Sequence, residues 1–120
     1  MIALAAALFL VAAPLEAMAQ STQSSAAIDV TLKNGKTAKP QTFRVKLGDE
    51  VTLRVASDRR IALHLHGYDI ERTAEPDKPA VFSFTAKATG RFPMEEHVPD
   101  TGKKSHSHAP AVLYLEVLPN

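Results

Sequence analysis

Apolar and polar residues alternate with a period of two through most of the chain beyond its N-terminal region. The alternation is clearest in residues 28–33, 43–47, 51–55, 81–86 and 112–117. Such a pattern is typical of strands with one buried face, and turn signals such as Asn34-Gly35 separate the segments. Beyond the N-terminal region, no segment of useful length has the period of an amphipathic helix. About six to eight short strands, with turn signals between them, predict an all-β fold and favour an antiparallel β-sandwich.

The first residues have a different pattern. Residues 1–13 are apolar without interruption and carry no charge, but a transmembrane helix needs about 20 such residues. Ala17-Met18-Ala19 supplies the small residues of a secretory cleavage site. We therefore predict a signal peptide at residues 1–19, a flexible leader at residues 20–27 and a folded domain at residues 28–120. This organisation predicts a periplasmic protein with no membrane span in the mature chain.

The composition of the chain argues against several classes of function. The chain has 120 residues, of which 45% are hydrophobic and 22% charged, as expected for one globular domain. A net charge of +1 without a basic stripe argues against nucleic acid as a partner. The absence of cysteine excludes disulfides, thiolate metal sites and cysteine nucleophiles. The sequence has no Ser-His-Asp ordering, H-E-x-x-H motif or phosphate-binding glycine loop, so we expect a binding protein and not an enzyme.

Five histidines, confined to two segments, are the remaining candidates for chemistry. His64 and His66 form an H-x-H motif on a predicted strand, which projects both imidazoles from one face. His97 follows the next-to-last strand, and His106 and His108 lie in the loop before the last one. This arrangement predicts a metal site, and imidazole suits copper or zinc. The alternatives are solvent-facing strand histidines and a histidine-rich loop that only interacts with water.

Several motifs in this order are similar to those of one protein family. They are His66-Gly67 after a strand, Gly90-x-Phe92 in the strand before a histidine-bearing loop, and Leu115-x-Val117 near the end. In these motifs the chain resembles the cupredoxins, most of all the small periplasmic cupredoxin-like proteins, from about Ile28 to Pro119. The resemblance implies a Greek-key β-sandwich with a copper site at one end, where His64 or His66 joins ligands from the C-terminal loop.

The chain departs from the blue-copper members of that family at the metal ligands. Those proteins use a cysteine thiolate and an axial methionine, whereas the corresponding stretch here is Met94-Glu95-Glu96-His97. We therefore predict a histidine-based, non-blue site with His64, His66 and His97 as primary ligands. His106 and His108 either complete this site or form a second, weaker one. Cu(II) is favoured over Cu(I), and zinc also suits these ligands.

The residues around His97 leave two questions open. Glu95 and Glu96 are candidates for an oxygen ligand or for holding a ligand imidazole by its second nitrogen, or they are ordinary solvated charges. Met94 alternates in phase with Phe92, which favours a core position over a thioether ligand.

The function expected from the sequence is copper binding for storage, delivery or tolerance in the periplasm. Its expected partners are the metal ion and another periplasmic or membrane copper-handling protein. The alternative is a metal-free or zinc-binding interaction or sensor module, since the same scaffold supports different functions.

Overall fold

A computed structural model describes residue 12, residues 23–98 and residues 109–120. The predicted signal peptide, apart from residue 12, lies outside the described residues, as do His106 and His108. The described residues form eight strands: β1 (Ser25–Leu32), β2 (Gln41–Lys46), β3 (Glu50–Ser57), β4 (Ile61–Leu65), β5 (Ile70–Ala74), β6 (Ala80–Thr85), β7 (Gly90–Glu96) and β8 (Leu113–Leu118). None of the residues that the structure describes belongs to a helix long and apolar enough to cross a membrane.

The strands form two sheets. One has the order β1-β3-β6 and the other has the order β2-β8-β7-β4-β5, which confirms the predicted all-β sandwich. The expectation of a wholly antiparallel arrangement is wrong, because β1 pairs with β3 and β2 pairs with β8 in parallel. Consecutive strands β1 and β2 lie in different sheets, so no tight hairpin between them fixes an antiparallel direction.

The strand pattern places one apolar layer between the sheets. Buried residues alternate along β3, β4 and β8, where every second side chain points inward. The largest fully buried side chains include Leu32, Leu53, Ile61, Leu63, Leu65, Phe82, Met94, Leu113 and Leu115. Met94 is therefore a core residue, as its phase with Phe92 predicts. The other face of β4 is left free to carry polar side chains.

The N-terminal boundary of the folded domain lies earlier than predicted. β1 begins at Ser25, inside the predicted leader of residues 20–27. Ser25–Ala27 belong to the strand because they continue its parallel register opposite Glu50–Thr52.

Hydrogen bonds of Asp49 connect the chain at the start of β1 to the turn between β2 and β3. Its carboxylate accepts a hydrogen bond from the Ser24 hydroxyl and another, of 2.9 Å, from the backbone N–H of Lys46. These two hydrogen bonds lower the pKa of Asp49, because they stabilise the ionised carboxylate.

We expect Asp49→Asn to lower the free energy of unfolding at neutral pH and to lower it less at acid pH. A carboxyl whose folded-state pKa is lowered stabilises the fold above its unfolded pKa, about 3.9 for Asp. That stabilisation disappears as the pH falls through the lowered value. Urea unfolding of both proteins at pH 7 and pH 3 tests this, with Asp77→Asn on the β5–β6 turn as the control. A difference in unfolding free energy that is the same at both pH values would contradict the assignment.

Candidate metal centre

β4 and the residue that follows it place the two histidines of the H-x-H motif on the solvent side of the five-stranded sheet. Ile61, Leu63 and Leu65 point into the core, so His64 points outward, and His66 follows directly after the strand. The centroids of the two imidazole rings lie 4.4 Å apart. The alternation along β4 thus brings the two predicted ligands together on one surface.

The neighbouring strands place a carboxylate on each side of His64. β4 lies between β7 and β5, and His64 pairs with Glu95 on β7 and with Glu71 on β5. Directly paired residues of antiparallel strands project from the same face. The result is a row of acid, imidazole and acid across three strands.

His66 makes the shortest imidazole contact of this group. Its Nε2 lies 3.0 Å from Oε2 of Glu95, and its backbone N–H donates a hydrogen bond of 3.0 Å to the Pro93 carbonyl. The His66 side chain is 42% exposed and that of Glu95 is 19% exposed. The imidazole is therefore held by a carboxylate yet accessible from solvent.

The turn after His66 is fixed by aromatic packing. Gly67 has a φ of +83°, and a Cβ at that position would overlap the Phe92 ring. The Tyr68 ring packs against Phe84 and Phe92 with centroid distances of 4.8 and 5.0 Å. The Tyr68 hydroxyl donates a hydrogen bond of 3.0 Å to the carbonyl of Ala88. This packing sets the direction in which the chain leaves His66.

His97 continues the pairing of β7 with β4 beyond the end of the strand. Its N–H donates a hydrogen bond of 2.8 Å to the Ala62 carbonyl, and its Nδ1 lies 3.7 Å from Oε2 of Glu71. His64 has a similar arrangement, with Nε2 at 3.7 Å from Oδ1 of Asp69. Each of the three described histidines therefore has a carboxylate oxygen within 3.7 Å of a ring nitrogen.

The three imidazoles line one hollow of about 210 Å³. Its lining residues are His64, His66, Glu95, Glu96, His97, Val98 and Ala109. Within the described parts of the chain, no three side chains from His, Asp and Glu converge as they stand on a point suited to a metal ion. The structure thus brings His64 and His66 together and places His97 in the same hollow, turned towards Glu71. His106 and His108 lie outside the described residues.

The two adjacent glutamates have different neighbours. Glu96 pairs with Arg59 through two contacts, Nη1 to Oε1 at 3.1 Å and Nη2 to Oε2 at 3.0 Å. This hydrogen bonding raises the pKa of Arg59. Glu95 contacts His66 instead. The sequence alone does not distinguish the roles of Glu95 and Glu96. The register of β7 against β4 gives the two side chains different neighbours.

Sequence reasoning did not consider Asp69 and Glu71. Both follow the H-x-H motif closely in the sequence, on the turn and strand that fold back beside β4. Recognising residues 70–74 as a strand would have placed Glu71 opposite His64. Imidazole nitrogens and carboxylate oxygens together form a donor set that suits Cu(II) or zinc, so the residue types that line this hollow have the chemistry to bind such an ion.

Comparisons with known proteins define the fold. No protein-family model and no curated protein sequence matches the chain. A structure of a heme-copper terminal oxidase dimer aligns with a TM-score of 0.55 at 10% identity, over 85% of this chain and 68% of that one. The multicopper oxidase mgLAC aligns with a TM-score of 0.51 at 16% identity, over 79% of this chain and 40% of that one. The fold is a cupredoxin-like Greek-key β-sandwich, as the sequence motifs predict.

Proposed function

We propose that this protein binds copper through His64 and His66, with His97 as a further donor, for storage, delivery or tolerance in the periplasm. The observation that carries the proposal is the pair of imidazoles 4.4 Å apart at the end of β4, with the Glu95 carboxylate 3.0 Å from one of them. A strand holds such ligands in a preorganised arrangement, which lowers the entropic cost of binding.

The exposure of the three imidazoles favours metal transfer over catalysis. The side chains of His64, His66 and His97 are 26%, 42% and 50% exposed, so incoming ligands have direct access to a bound ion. Another periplasmic or membrane copper-handling protein is the partner that this arrangement suits. We propose binding and exchange, and no catalysed reaction, as the role of the site.

Copper titration of single histidine variants tests the assignment. We expect His64→Ala and His66→Ala each to weaken Cu(II) binding by about tenfold or more, because replacing even an outer partner of a metal ligand typically costs about 10–100-fold in affinity. We expect His106→Ala to cost less, because a ligand held by a strand is preorganised and a loop ligand must be ordered on binding. His108→Ala is a second comparator from the same loop.

A different pattern of copper affinities would overturn the assignment of His64 and His66 as ligands. If both strand variants bind copper as the wild type does while His106→Ala and His108→Ala abolish binding, the histidine-rich loop is the site. If the wild type binds zinc alone or no metal, the protein is the interaction or sensor module considered as the alternative.

We expect the copper-loaded protein to lack the intense colour of blue copper proteins. That colour comes from a thiolate-to-copper transition, and the chain has no cysteine. Visible absorption of the untagged Cu(II) protein measures this directly. A strong band in the blue-copper region would contradict a site of imidazoles and carboxylates.

A further inference from the structure

Glu95 is the carboxylate most closely associated with the paired imidazoles. It lies beside His64 in the strand register and 3.0 Å from Nε2 of His66. Its neighbour Glu96 is bound to Arg59. The Glu95 carboxylate therefore contacts His66, lies on the same face of the sheet as His64 and is available to a metal ion there.

We propose that Glu95 is an oxygen ligand of this site and makes it selective for Cu(II), so that one-electron reduction releases the metal. The inference rests on the proposed copper-binding function and adds to it a third protein ligand, a preferred oxidation state and a means of unloading.

The geometry of the His66–Glu95 contact suits shared coordination. Two ligand atoms that each lie about 2.0–2.1 Å from one ion are separated by roughly 3 Å in tetrahedral or square arrangements. Nε2 of His66 and Oε2 of Glu95 already have this separation. An ion bound by both atoms takes the place of the hydrogen bond, and the proton leaves Nε2 of His66 for Nδ1 by exchange with water, so that little movement of the strands is required.

The donor chemistry determines the preferred oxidation state. Soft sulfur ligands select Cu(I), whereas imidazole and carboxylate suit divalent ions. The chain has no cysteine, and Met94 is fully buried in the core while its neighbour Glu95 points outward. The thioether on β7 is thus on the wrong side of the sheet to hold Cu(I) at this site.

Release then needs only an external one-electron donor of the enediol class, such as ascorbate. Bound Cu(II) takes up one electron and becomes Cu(I), while the donor is oxidised by one electron. The bonds from copper to the imidazoles and to Glu95 break, a proton returns to Nε2 of His66 by exchange with water, and the His66–Glu95 hydrogen bond forms again. No residue of the protein changes its oxidation state.

Metal affinities measured separately for the two oxidation states test the proposal. Cu(II) affinity is measured by competition with a chromophoric chelator, and Cu(I) affinity is measured anaerobically by competition with bicinchoninate. We expect the wild type to bind Cu(II) more tightly than Cu(I), and Glu95→Gln to lower Cu(II) affinity by about 10–100-fold with little effect on Cu(I). We expect Glu95→Met to raise Cu(I) affinity by supplying a thioether.

Glu116→Gln is the matched control. Glu116 lies on the same sheet, on β8, where it pairs with Arg44 at 3.4 Å, so its replacement removes one carboxylate at a distance from the histidines. We expect this control to keep the wild-type affinities. We also expect Glu95→Gln, but not the control, to change the copper hyperfine splitting in electron paramagnetic resonance while both keep the wild-type circular dichroism.

The possible results distinguish a failure of the proposed copper-binding function from a failure of the role proposed for Glu95. If the wild type binds copper in neither state, the proposed function fails. If the wild type binds Cu(II) and Glu95→Gln matches the control in affinity and hyperfine splitting, the function stands and the role of Glu95 is wrong. A wild type that binds Cu(I) as tightly as Cu(II) also overturns the inference.

Discussion

Phe82→Ala is expected to lower the free energy of unfolding by about 3–5 kcal/mol, the usual cost of removing a fully buried phenylalanine side chain. Phe82 is the largest of the fully buried side chains and lies on β6, facing the layer between the two sheets. A domain of this size is stable by only about 5–15 kcal/mol. The variant is therefore expected to lose a large part of its stability.

Urea unfolding followed by circular dichroism measures this loss. Val81→Ala is the control, because Val81 is the preceding residue of the same strand and its side chain is exposed. A surface substitution of this kind changes stability by about 0.5 kcal/mol or less. Similar midpoints for the two variants would contradict the assignment of Phe82 to the centre of the core.

Gly67→Ala is expected to destabilise the protein and also to weaken copper binding. A residue with a side chain costs about 1–2 kcal/mol in a left-handed conformation, and Gly67 has a φ of +83°. The added Cβ also meets the Phe92 ring, and forcing extra atoms into a packed site costs about 1–3 kcal/mol. Because His66 is the preceding residue, we expect relaxation of the turn to displace a proposed ligand.

The Gly48→Ala variant distinguishes the cost of the left-handed backbone from the cost of the contact with Phe92. Gly48 has a φ of +92°, and no atom lies within 4 Å of a Cβ built there, so this variant reports the backbone cost alone. We expect Gly67→Ala to be less stable than Gly48→Ala, and Gly48→Ala to retain the wild-type copper affinity. Equal losses of stability, with copper affinity unchanged in both variants, would show that the Phe92 contact does not position His66.

The sequence predicted the strands that have one clearly buried face. Along β3 and β4 every second residue is buried, and all of these except Ser57 are apolar, so alternation alone placed His64 on the outer face. β5 gave no such signal, because of its five residues only Ala74 is buried. An edge strand of this kind contributes mostly polar side chains, and its presence depends on pairing with β4 that a local pattern does not contain.

The acidic part of the candidate site was harder to predict for the same reason. Glu95 and Glu96 are adjacent and chemically identical in the sequence, yet one contacts His66 and the other Arg59. Their difference comes from the alternation of β7 and from the long-range register with β4. Histidine spacing within one strand is local information, whereas the carboxylate partners depend on contacts between strands.

The position of β8 has a consequence for how the chain acquires its structure. The last strand of the sequence lies between β2 and β7 in the five-stranded sheet, and it pairs Gln41 with Leu113. Pairings between such distant segments are slow to form, and β2 has no neighbour in that sheet until the final residues have been synthesised. Completion of the five-stranded sheet therefore requires β8, the strand that joins β2 to β7.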